Sequence, residues 1–147
     1  MRFVEAGTLV AIRRALLVIF VLGAVGTGLE LMLLGHTEDA WQWAPLVLLF
    51  ASLGALIWRS AGGGAASLRV FQGVMVLCLL AGLLGLGLHF QGNVEFELEM
   101  YPSLRGFSLF WESLTGATPA LAPGTMVGLG LLGLAYTYRH PALVERH

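Results

Sequence analysis

Residues 15–34, ALLVIFVLGAVGTGLELMLL, are apolar apart from Thr27 and Glu30 and follow directly on the pair Arg13-Arg14. As a helix rising about 1.5 Å per residue, such a run spans roughly 30 Å, the thickness of a bilayer's hydrocarbon core. It leaves room for one class of fold, because unpaired backbone is not tolerated in lipid and a helix pairs its own. Basic residues tend to remain on the cytoplasmic side, so this helix enters from the cytoplasm and sets the sense of each later crossing. Residues 1–14 could begin a secretory signal, but an apolar run reaching Leu34 and the further spans behind it favour a retained signal-anchor.

The rest of the chain agrees. Its 147 residues are 57% hydrophobic and 12% charged, with a mean hydropathy of +0.81, too apolar for a soluble domain of that length. Three further runs predict spans at residues 40–58, 70–90 and 120–138. Asp39 is placed to cap the second with Gln42 reaching back, and Thr118-Pro119 to open the fourth. SAGGGAAS, between Arg59 and Arg69, lacks the lysine and hydroxyl of a phosphate-binding loop and reads as a flexible tether. The expected fold is a single all-α integral membrane domain over residues 1–147, a four-transmembrane-helix bundle in a cell (inner) membrane.

All eight basic residues are arginines, and the four-span reading puts Arg2, Arg13, Arg14, Arg59, Arg69, Arg139 and Arg146 on the side of the termini. Only Arg105 falls on the other side. This asymmetry predicts cytoplasmic N- and C-termini. Glu38, Asp39, Glu95, Glu97, Glu99 and Glu112 take the opposite side, giving an acidic outer face.

The outer segment, residues 91–119, divides in two. NVEFELEMY alternates Glu95, Glu97 and Glu99 with Val94, Phe96, Leu98 and Met100, a period-two pattern that predicts a strand-like strip needing a partner or lying against the bundle. From Leu104 to Leu114 the period changes. Leu104, Phe107, Phe110, Trp111 and Leu114 recur at helical spacing, which predicts a short amphipathic helix in the membrane interface.

Helices in lipid pack closely through small residues. Gly23, Gly26 and Thr27 share a stripe with Glu30, Cys78, Ala81, Gly82 and Gly85 share one with His89, and Gly124 and Gly128 form a third. An ionisable group at such depth marks a candidate site, so Glu30 and His89 are the candidate buried polar pair, with Arg105 a rival partner for Glu30. The pair has two readings, a register-fixing contact or a proton- or cation-handling site enlarged by His36, Glu38 and Asp39. His36 and His89 lack any compact ligand motif, so a metal reading is weak; no cofactor, nucleophile or nucleic-acid signature is present, and the lone Cys78 has no disulfide partner. The expected function is therefore a non-enzymatic membrane subunit or accessory protein, binding another membrane protein or its own copy through the acidic face. The alternative is a small proton- or cation-coupled transporter using Glu30 and His89.

The arginine asymmetry yields a direct test. In a Cys78→Ala background, an impermeant maleimide applied outside intact cells should label Ser103→Cys and leave Ser67→Cys unlabelled; labelling of residue 67 from outside would reverse the orientation.

Overall fold

A computed structural model describes residues 2–116 and 122–144, with side chains from residue 7 onward. The elements are α1 (Arg2–Leu33), α2 (Ala40–Ser60), α3 (Gly64–Met100), α4 (Gly106–Thr115), α5 (Gly124–Thr137) and α6 (Pro141–Val144), and no strand occurs among the described residues. Three of these helices are long and apolar enough to cross a membrane: α2, α3 and α1 from Gly7 onward. Their outer surfaces carry Ile19 and Leu22 of α1, Phe50 and Ile57 of α2 and Val76 and Leu83 of α3, an apolar exposure that water would not tolerate and lipid does. This is a membrane-embedded, all-helical protein.

Local chemistry ends and starts the helices. After α1, Gly35 takes φ +64° and the His36 N–H donates to the Leu31 carbonyl at 2.9 Å, a glycine-terminated helix end. Asp39 then caps α2, accepting from the Trp41 and Gln42 N–H groups at 2.8 and 2.9 Å, while the Gln42 side chain accepts from the Glu38 N–H. The glycine-rich segment after α2 is a tight turn rather than the expected tether. Gly62 has φ +94°, the Gly63 N–H donates to the Trp58 carbonyl, and α3 begins at Gly64.

The fourth run departs from expectation. Regular helix in α5 is 14 residues, about 21 Å, short of a bilayer core on its own. The predicted start at Ala120 and the Thr118-Pro119 cap lie outside the described residues. Within the bundle α5 runs back along α3, its main neighbour, and also packs on α1, while α2 packs on α3 and more lightly on α1. The α3–α5 contact is built on glycine. A Cβ on Gly82 would lie 2.7 Å from Val127 Cγ2, one on Gly85 2.8 Å from Pro123, and one on Gly130 2.8 Å from the Met75 carbonyl, and one on Gly133 would overlap Met75. A Cβ added to Gly124 or Gly128, the pair the spacing favours, would meet no neighbouring element within 4 Å among the described residues. Near the same interface the Gln72 amide donates to Thr137 Oγ1 at 3.1 Å.

The core gathers at the end that carries the arginines. Phe71 meets Phe20 edge-on at 5.2 Å between ring centroids and Tyr136 at 6.1 Å, joining α1, α3 and α5 into one aromatic column. Leu68, Met75 and Cys78 are buried beside it. Arg13 Nη2 donates to the carbonyls of Arg139 at 2.8 Å and Tyr138 at 3.4 Å, tying α1 to the end of α5.

The strand-like strip is corrected outright: residues 94–100 are the last turns of α3, which runs 37 residues, about 55 Å, and so outreaches a bilayer core. A lone strand would leave its backbone unpaired, whereas each residue added to an existing helix gains a hydrogen bond. Glu, Leu and Met are good helix formers, and the Gln91 amide donates to the Glu95 carboxylate four residues on at 3.0 Å.

The glycine contact makes a clear stability prediction. Gly130→Val should cost about 1–3 kcal/mol by forcing a side chain into the α3 backbone, and Gly128→Val should leave stability unchanged. Thermal unfolding of the purified variants in detergent checks the contrast.

Candidate functional site

Because α5 begins beside Gly85 of α3, the acidic end of the bundle has, among the described residues, α1, α2 and α3 without a full fourth helix. The result there is an open cleft of about 1230 Å³. Its walls are mostly apolar, with Leu31 and Leu34 from α1 and the turn after it, Leu48 from α2 and Leu84 and Leu88 from α3, and the start of α5 borders it through Pro123 and Met126. A few polar groups converge on these walls: Thr27, Glu30, His36, Asp39, Gln42 and His89. An apolar cavity with sparse polar groups is the usual form of a binding site.

The sequence-derived residues distribute as follows. Glu30 and His89 line the same cleft, and the His36 and His89 rings lie 6.5 Å apart. Glu30 is exposed, and among the described residues its carboxylate has no hydrogen bond or ion pair, so it does not contact His89 as the small-residue stripes suggest. Arg105 is not its partner either. Its guanidinium folds onto its own turn, Nη1 donating to the Pro102 and Leu104 carbonyls at 2.8 Å each. Asp39 reaches the cleft edge while its Oδ1 caps α2, which gives it a structural task of its own. Glu38 sits in the preceding turn; Glu95 and Glu99 are exposed and Glu97 half-buried on the last turns of α3. Among the described residues no three His, Cys, Asp or Glu side chains converge on a common metal position.

The amphipathic helix forms as α4, shifted to Gly106–Thr115. The side against α3 is polar and small. Asn93 Nδ2 donates to the Ser113 carbonyl at 2.9 Å, and Gly116 lies against the Asn93 side chain. The aromatic stripe faces outward: Phe107 is 76% exposed, and the Phe90, Phe110, Phe107 and Trp111 rings follow one another at 5.6, 6.2 and 6.3 Å. Sequence reasoning missed the anchor of this hairpin. Asn93 stands inside a run read as strand, and a lone asparagine gives no pairing signal until the helix places it opposite Ser113.

At the other end the ionisation of His140 is held below its ordinary value by burial first and then by the Arg13 and Arg59 charges.

Compared with known proteins, the chain matches no family profile, no curated protein and no solved structure.

The unpartnered carboxylate carries a prediction. Glu30→Gln should change folding stability by less than about 0.5 kcal/mol, since no hydrogen bond or ion pair among the described residues is lost. A thermal melt in detergent that fell well beyond this would mean that Glu30 holds the fold together.

Proposed function

We propose that this protein is a non-enzymatic subunit or accessory protein of a cell membrane, with cytoplasmic termini, and that its outer cleft receives a helix of a membrane partner. The observation that carries this reading is Glu30, an unpartnered carboxylate in a large, mostly apolar cleft about one turn inside the end of the first span. A carboxylate held in lipid costs up to about 2.5–3.5 kcal/mol at a helix centre on insertion scales and less toward the end, so Glu30 calls for water or a partner. Size favours the partner. About 1230 Å³ exceeds the roughly 300–1,000 Å³ of ordinary small-ligand pockets, and leucine-lined walls on three helices suit the packing of a further helix. A basic or hydroxyl side chain on that helix would meet Glu30, and the carboxylates of the acidic face, Glu38, Glu95, Glu97 and Glu99, would attract positive charge beside it.

A second reading, the small proton- or cation-coupled transporter, draws on Glu30, His36 and His89 lining one cleft that is open at one end while the Phe20–Phe71–Tyr136 column closes the other. Glu30→Gln separates the two: it abolishes flux in a transporter and only weakens partner binding in a subunit.

A photocrosslinking residue placed at Leu84, in the cleft, should give a discrete protein adduct in native membranes, and the same residue at Val18, exposed on α1, should not. Glu30→Lys should abolish the Leu84 adduct. An adduct of twice the chain's mass would make the partner a second copy, and lipid adducts alone at both positions would refute the reading.

A further inference from the structure

The end of the bundle opposite the cleft holds a second, smaller concavity of about 230 Å³, between α1 and the corner where α5 turns into α6. Arg13, Arg14, Tyr136 and His140 line it together with Val10 and Leu17. We propose that it binds the phosphate headgroup of an anionic phospholipid of the surrounding bilayer.

Charge is the first argument. Arg13, Arg14, Arg59, Arg69 and Arg139 are the described charged side chains at this end, and all seven described carboxylates belong to the other end or its approaches; Glu5 and Glu145 lie outside the described side chains. Among the described residues the bundle therefore presents guanidinium groups with no carboxylate beside them to a bilayer surface, where basic pockets between helices bind acidic headgroups.

Geometry is the second. Arg13 is held by the Tyr138 and Arg139 carbonyls, so its guanidinium is fixed in place before any ligand arrives, and Arg14 next to it has no hydrogen bond or ion pair among the described residues. One anchored and one available guanidinium side by side suit a phosphate, which accepts forked N–H donors. His140 Nδ1 accepts from the Ala142 N–H at 3.2 Å, which leaves the proton of the neutral ring on Nε2 as a further donor. The Tyr136 ring packs against His140 at 5.7 Å and holds it at the pocket.

Size and surroundings choose lipid over a soluble anion. At about 230 Å³ the concavity is on the scale of a headgroup and far too small for acyl chains. Those chains have a lane outside it. Arg14, Val18 and Val25 stand at i, i+4 and i+11 on one side of α1, and both valines are exposed, so a lipid whose phosphate sits on Arg14 lays its tail along them.

The test is thermal unfolding of the full chain in non-ionic detergent with added phosphatidylglycerol, phosphatidylcholine or inorganic phosphate. Phosphatidylglycerol should raise Tm saturably by about 5 °C, and the other two should leave it unchanged. Arg14→Gln should lose most of that rise, and Arg69→Gln, at the same end but outside the pocket, should keep it. An equal rise with inorganic phosphate would make this a soluble-anion site and overturn the lipid assignment. Equal losses in both arginine variants would reduce the effect to general charge attraction and overturn the pocket, as would no rise with phosphatidylglycerol in the unmodified protein.

Discussion

The close approach of α3 and α5 through Gly82, Gly85, Gly130 and Gly133 is the contact on which the rest of the bundle depends. Lipid gives two helices almost no hydrophobic reason to associate, so backbone proximity and the dispersion contacts it allows must supply the attraction. With both surfaces cut down to glycine, the helices approach until Val127, Met75 and Leu79 fill the space a Cβ would take. A polar contact such as Gln72 to Thr137 adds on average about 0.6 kcal/mol in a membrane bundle, so packing dominates.

That contact also decides where the molecule is closed and where it is open. Since α5 is pinned to α3 between Phe71 and Gly85, its side chains complete the core at the arginine-bearing end, and Tyr136 brings the third ring to the column of Phe20 and Phe71. Past Gly85, α3 continues for about four turns without α5 beside it, and the cleft opens there. Glu30 stands at its edge because Gly23, two turns earlier on α1, packs on Leu129 and so fixes the height and rotation of α1 against α5. The two ends thus differ in packing as well as in charge.

Much of the fold was legible in the sequence because lipid enforces simple rules. Long apolar runs, the Asp39 cap and the one-sided distribution of arginine each follow from local chemistry, and the Asp39 cap appears with the bonds expected of it. The errors have physical causes of the same kind. Alternation over residues 94–100 looked like a strand, but nothing stood ready to pair it, and an existing helix extends at little cost. The aromatic stripe of α4 stays on the outside, as an interfacial helix requires, while the Asn93–Ser113 contact that holds the helix against α3 gave no signal in the sequence. Glycine spacing alone favoured Gly124 and Gly128 on α5, although the rotation of that helix turns Gly130 and Gly133 toward α3.

By itself, then, the sequence determined the membrane class, the long apolar helices, the sides on which opposite charges gather and the identity of Glu30 and His89 as polar groups near one end. These depend on composition and on spacing along the chain, which need no knowledge of neighbours. Only the tertiary structure decided that Glu30 and His89 share a cleft without Glu30 contacting His89, that Arg105 is engaged by its own turn, and that Arg13 and Arg14 meet His140, 127 and 126 positions away in sequence, around a small pocket. Those outcomes turn on helix rotation and on where a short helix begins against a long one, quantities set by close contact between distant residues and absent from any local pattern.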